Sequence, residues 1–242
     1  MVATRTLLSV NLELPFIDRD KECAQLQRLH TSHKHVLILG AEGVGKSALV
    51  GYLRESFGLR VCPSSARLAE ICDSLECELE LESAQLHLVQ RKNRLLKSFA
   101  GTKQTVVFDG VAWTTPKVSS FLEDVSEREP VWLCARSDQA GDIGHFWQFL
   151  WKFERVELRP FHLAETRALL EAAVAAGQIP AAALDAVERL QQLSVGNPRV
   201  LGELITGLAS GHYDPHKKFD LRLLDLDRRI QHLPTPVGLH LP

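Results

Sequence analysis

The sequence predicts an α/β fold, a parallel-sheet domain followed by a small all-helical one, on three observations. Residues 36–39, 105–110, 131–135 and 156–158 contain short apolar runs of the kind found in strands buried on both faces of a parallel sheet. The first run opens directly into Gly40-Ala41-Glu42-Gly43-Val44-Gly45-Lys46-Ser47, which satisfies the spacing G-x-x-x-x-G-K-[ST]. Beyond Ala164 no strand-like run remains and the apolar residues recur at helical spacing. The expected organisation is a phosphate-binding α/β domain over 1–162, a helical domain over 163–211 and a tail over 212–242.

Residues 1–15 read as an arm or edge strand ending at Pro15. In FIDRDKECAQLQRLH, Asp18 or Asp20 is placed to cap a helix that carries Cys23, Leu26 and Leu29 on one side. After the glycine-rich loop, Ala48, Leu49, Tyr52, Leu53 and Phe57 fall at helical spacing, and Gly58 is placed to end that helix. A second strand is expected at 59–62, closed by Pro63. Residues 66–100 form a mostly helical stretch whose cations Arg91, Lys92, Arg94 and Lys97 follow several glutamates, which favours a solvated helix face over a nucleic-acid patch.

The run TVVFDG ends in Asp109, the placement from which a carboxylate supports a metal ion at the carboxyl end of a strand adjacent to the phosphate loop. A plain Asp-Gly turn is the competing reading. The strand at 131–135 ends in Arg136, at the sheet edge where ligands bind; it reads equally as a phosphate sensor and as a surface arginine in a turn. HFWQFLWKF, 145–153, is aromatic and amphipathic, suited to a core or a partner contact. Pro180 and Pro198 stand near helix starts, and Gly177, Gly196 and Gly211 near helix ends, giving about three helices before a polar tail.

Within the loop, glycines let successive N–H groups point inward at phosphate oxygens, and the start of the following helix adds positive potential. Lys46 supplies a full charge to the outer phosphates and Ser47 a hydroxyl for Mg²⁺. A net charge of −2 advertises neither a nucleic-acid nor a membrane partner. Five cysteines, none in C-x-x-C spacing, favour reduced thiols over a disulfide framework or a zinc site. With no signal-like N-terminus and no run of 18 apolar residues, the expectation is a cytoplasmic protein.

Taken in order, Phe16-Ile17-Asp18-Arg19-Asp20-Lys21-Glu22, the glycine-rich loop, the strand ending in Asp109, the strand ending in Arg136, Leu158-Arg159-Pro160-Phe161 with Glu165, and Gly196-Asn197-Pro198-Arg199 resemble the landmarks of AAA+ and STAND ATPases. The likeness is nearest to the branch holding origin-recognition proteins, transposition-associated ATPases and signalling NTPases, and it spans residues 16–210. It implies that ATP and Mg²⁺ are held by residues 40–48, from Gly40 through Ala41, Glu42, Gly43, Val44, Gly45, Lys46 and Ser47 to Ala48. It further implies an adenine pocket around Phe16 and Ile17, a Walker B aspartate at Asp109, which reaches the metal through water, a first sensor at Arg136, and a lid carrying Pro198 with a second sensor at Arg199. Active members usually place a glutamate after the Walker B aspartate, whereas this chain has Gly110. A water-orienting group contributes about 10² to 10⁴ in rate, so the resemblance implies slow or partner-dependent hydrolysis, with Glu42 or Asp138 as possible substitutes. It also implies a protein partner or a homo-oligomer. A DNA-associated role would need a basic face, from Arg91, Lys92, Arg94 and Lys97 or from Lys217, Lys218, Arg228 and Arg229.

Overall fold

Strands β1 (Val36–Leu39), β2 (Arg60–Cys62), β3 (Val106–Val111), β4 (Val131–Ala135) and β5 (Glu154–Glu157) form one parallel sheet in the order β2-β3-β4-β1-β5. A computed structural model describes residues 16–17, 19–63, 66–81, 86–99 and 103–232; the arm expected over 1–15, Asp18 and the last ten residues lie outside them. The chain divides into two compact units, Asp18–Arg159, and Pro160–Pro242 together with Met1–Ile17.

The α/β unit follows from central strands, β1, β3 and β4, that bury apolar residues on both faces. Leu37, Val106, Phe108, Val131 and Leu133 join one core with Ile71, Cys72 and Leu75 of α3 (Leu68–Glu78), Leu95, Leu96 and Phe99 of α4 (Leu88–Phe99), and Val118, Phe121, Leu122 and Val125 of α5 (Pro116–Ser126). On the alternate positions of β4, Trp132 meets His30 and Phe57 edge-on, at the ends of α1 (Asp20–Thr31) and α2 (Lys46–Phe57). Every residue of β4 is buried, as a central parallel strand requires. Helix α2 stops at Gly58, whose φ of 61° is left-handed. Helix α1 opens behind Arg19 with no side-chain cap, so Asp20 is its first residue and not its cap. With Glu22 it instead sets negative charge in the first turn, which the helix dipole favours. After a short helix α6 (Ala140–Ile143), residues His145–Lys152 form a 3-10 helix that buries Phe146 and Leu150 and exposes Trp147 and Trp151.

Three of the four cations of α4 are committed within this unit. Arg91 bonds Glu76 and Asp73, Arg94 bonds Glu76, and Lys92 pairs with Asp124 of α5. The cluster therefore clamps helices together, and the Glu76 carboxyl is held below its usual range chiefly by the Arg91 hydrogen bond.

The second unit is helical: α7 (Leu163–Ala175), a 3-10 turn at Ala181–Ala186 running into α8 (Val187–Ser194), α9 (Pro198–Ala209) and α10 (Lys218–Gln231). Asn197 caps α9 through Oδ1, which accepts from the N–H groups of Arg199 and Val200, with Pro198 at the first turn. The stretch after Gly211, read from sequence as a tail, is a folded helix as far as Gln231. Leu221 and Leu224 enter the same core as Leu201, Leu204 and Leu208, and Gly207 leaves the space into which Leu224 fits. The charges interspersed along α10 hid this in the sequence. Ile17 packs against this helical core as well. Among the described residues no helix is long and apolar enough to cross a membrane.

Candidate phosphate-binding site

The sheet register places the motif residues at one edge. Leu39, Ala135 and Glu157 are level, as are Ala135 and Val111, so the loop after β1, Arg136 after β4 and the end of β3 open on the same side. The strand carrying Asp109 is not the neighbour of β1, contrary to expectation: β4 lies between them. Buried on both faces, β4 fills the place beside β1 and brings its own end, Arg136, nearer the loop.

Between Phe108 and Val111, β3 has one more residue than the facing stretch of β4, a bulge in which Gly110 has φ of 68°. A bulge re-aims side chains and takes the backbone off the extended course. Gly110 is accordingly not an extended strand residue whose glutamate has been lost; a side chain there would stand on left-handed backbone, though nothing lies within 4 Å of its Cβ position.

The loop between β1 and α2 is tightly determined. A Cβ on Gly40 would lie 2.7 Å from Val44 Cγ1 and 2.8 Å from the Leu158 carbonyl oxygen, so only glycine fits. Lys46 Nζ donates to the carbonyls of Gly40 at 2.7 Å and Ala41 at 3.0 Å, folding the side chain back over the loop. Burial lowers the Lys46 pKa from the usual lysine value, opposed by Cys134, Asp109 and Glu42 and reinforced by Arg136. Those charges act on one ammonium, which brings Lys46, Asp109, Glu42 and Arg136 into one electrostatic cluster. Arg136 and Glu42 are exposed, and Asp138, one of the suggested water-orienting groups, is engaged by Arg155 at 3.1 Å.

Two participants were missed by sequence reasoning. Arg19 is only 7% exposed and its Nη2 donates to the Val44 carbonyl at 3.1 Å and the Arg159 carbonyl at 2.8 Å, tying the phosphate loop to the segment after β5. No local signal marks it, since the loop partner is 25 residues away and the other 140. Cys134, read from sequence only as a reduced thiol, is buried on β4, within electrostatic reach of the Asp109 carboxylate. Burial, then the Asp109 charge, pushes its pKa well above the ordinary thiol value, so it stays protonated. The register could have suggested it, because Phe108 pairs with Leu133 and the next residues along are Asp109 and Cys134.

Phe16, Ile17, Pro198 and Arg199 belong to the helical unit. There Arg199 Nε donates to Glu203 at 3.3 Å, and Glu203 also receives Arg228 at 3.1 Å. Among the described residues no group of three or more histidine, cysteine, aspartate or glutamate side chains could hold a metal ion by itself.

No protein-family model and no curated protein sequence matches the chain. Solved structures do. The Orc1 protein of Aeropyrum pernix in complex with DNA superposes with a TM-score of 0.64 at 14% identity, covering 94% of this chain and 72% of that one. Cdc6p of Pyrobaculum aerophilum gives 0.64 at 12%, covering 85% and 64%. RuvB of Thermotoga maritima gives 0.52 at 15%, covering 85% and 66%.

The chain has the AAA+ P-loop ATPase fold.

The chain spans roughly two thirds of the length of these structures.

Proposed function

We propose that this chain binds Mg-ATP at residues 40–48 and acts as a nucleotide-dependent switch with slow or partner-dependent hydrolysis. The reading is carried by Lys46, an ammonium folded over a glycine-specific loop with Asp109, Glu42 and Arg136 in electrostatic reach. On binding, Lys46 would exchange two carbonyl acceptors for phosphate oxygens, a better match for a cation. Ser47 and Asp109 would hold Mg²⁺, the latter through water, and the Cys134 thiol would keep Asp109 oriented. The cation supplies neutralisation of charge on the transferred phosphoryl group. Arg136 would sense the outer phosphate. In the helical unit, Phe16 and Ile17 would serve the base, while Pro198 and Arg199 would form the lid and its second sensor.

The bulge at Gly110 supports a second reading, a nucleotide-gated protein-binding module that barely turns over, because no carboxylate follows Asp109 and Asp138 is held by Arg155. Single-turnover hydrolysis separates the two. A slow ATPase converts bound ATP at well below about 1 s⁻¹, slower still in Glu42→Gln if Glu42 orients water. A pure module leaves ATP intact in both. A DNA-associated role, suggested by the DNA in the Orc1 structure, gains little support. Arg91, Lys92 and Arg94 are paired with carboxylates, as are Lys217, Arg228 and Arg229. Five free thiols suit a reducing, cytoplasmic setting.

A further inference from the structure

Helix α10 is apolar on two opposite sides. At 3.6 residues per turn, Leu221 and Leu224 turn into the helical core, while Phe219, Leu223, Leu226 and Ile230 line the other side. Phe219 is 75% exposed, Leu226 52% and Ile230 53%; Leu223 is partly covered by the core. Their separations of four, three and four residues are those of alternating d and a positions in a coiled-coil heptad. The charges flanking the stripe are sorted by side. Asp220 and Asp227 run along one flank, at e positions, and Arg222 and Arg229 along the other, at g positions.

We propose that this stripe pairs with the same stripe of a second copy of the chain, the two α10 helices running parallel. In that orientation the g residue Arg222 faces the e residue of the following heptad, Asp227, on the second copy, and two-fold symmetry repeats the pair. An antiparallel arrangement sets the arginine flanks against each other and the aspartate flanks likewise. Arg222 makes no ion pair or hydrogen bond among the described residues, and Asp227 uses one oxygen, Oδ2, to accept from Tyr213 at 2.6 Å. An occupant of a single charge sign would satisfy only one flank, whereas a copy of the same helix satisfies both. Two heptads are fewer than a self-sufficient coiled coil uses, so the dimer is weak and concentration-dependent.

The test is sedimentation velocity on the whole chain, over about two decades of concentration around 10 μM. The proteins are wild type, Ile230→Asp, Arg222→Asp, Asp227→Lys and an equimolar mixture of the last two. Wild type should dimerise. Ile230→Asp should stay monomeric, with an unchanged melting curve at dilutions where the wild type is also monomeric, since Ile230 is 53% exposed. Each charge variant should weaken pairing about tenfold, given two exposed pairs of up to ~1 kcal/mol each. The mixture should restore it, because the aspartate introduced in one chain then faces the lysine introduced in the other. A monomeric wild type, a dimer that survives Ile230→Asp, or a mixture no better than its components would overturn the proposal. Should Asp227→Lys not fold, Ile230→Cys in a Cys77→Ser background reads orientation directly. Parallel helices place the two 230 positions together and give a disulfide-linked dimer on oxidation; antiparallel helices set 230 against 219 and give none.

Discussion

Replacing Arg19 with alanine removes the clamp on the phosphate loop, and the structure sets the size of the effect. Arg19 is 7% exposed, and its guanidinium donates to the carbonyls of Val44 and Arg159. Hydrogen bonds to a charged group contribute about 1.5–3 kcal/mol each, and the acceptors left behind in a buried place add a desolvation penalty. Its ion pair with Glu22, at 3.5 Å and partly exposed, adds little. The two carbonyl bonds together predict a loss of about 3–5 kcal/mol in urea unfolding of the whole chain, after the non-additivity of neighbouring bonds is allowed for. Function should suffer separately. Val44 lies inside the loop, so a freed carbonyl loosens the geometry that faces phosphate, and an ordering cost of about 1.4 kcal/mol would raise the ATP dissociation constant tenfold. Arg19→Lys, which keeps the charge but whose shorter side chain ends short of the point from which Nη2 donates both bonds, should recover less than half of either effect. Calorimetric titration of ATP, performed where the variant is folded by circular dichroism, measures the second effect independently of the first. Wild-type stability and affinity in Arg19→Ala would refute the clamp.

Gly40→Ala should be worse for nucleotide than for folding: its Cβ meets backbone at 2.8 Å, so the loop must shift, and ATP titration should show at least about a tenfold loss while the melting temperature falls by only a few degrees. Cys134→Ala, which removes the protonated thiol beside Asp109, should weaken ATP binding more with Mg²⁺ than without it, and Cys134→Ser should retain the difference seen in wild type. Stability should fall on acidification. His35 accepts the Val131 N–H at Nδ1, and burial, aided by Lys152 and Lys34, lowers its pKa below the ordinary histidine value of 6.5. The unfolded chain therefore takes up the proton first. Stability is complete above about pH 6.5 and declines as pH falls from there toward the lowered folded value, by at most about 1.4 kcal/mol per unit for this histidine. Urea unfolding at pH 7.5 and 5.5 measures the decline, and His35→Asn should flatten it; an equal slope in the variant would assign the pH dependence elsewhere.

Much of the α/β unit was legible because its central strands β1, β3 and β4 are built on apolar runs and its loop carries a steric signature at Gly40, Gly45 and Lys46, whereas the edge strand β5, Glu-Arg-Val-Glu, is mostly exposed. The order of the strands was less so. Nothing local in VVFDG or VWLCA says that β4 lies between β1 and β3. The bulge at Gly110 was also hidden, since Asp-Gly is compatible with a turn, a strand end or a bulge until the partner strand fixes the count of residues. Arg19 and Cys134 act through contacts distant in sequence, which periodicity does not encode. The cations of α4 illustrate the converse: their run suggested a surface property, whereas Glu76 and Asp124 pair three of them. In α10, charges on the flanks masked two apolar faces that only the packing against Gly207 separates.

The central claim is that the Lys46 loop binds nucleotide. Isothermal titration of ATP with Mg²⁺ into the whole chain, wild type beside Lys46→Ala, tests it most directly. The account predicts saturable one-to-one binding by the wild type and a loss of at least about tenfold, 1.4 kcal/mol, in the variant, with both proteins equally folded. Absence of binding, or equal binding by the two, would contradict it.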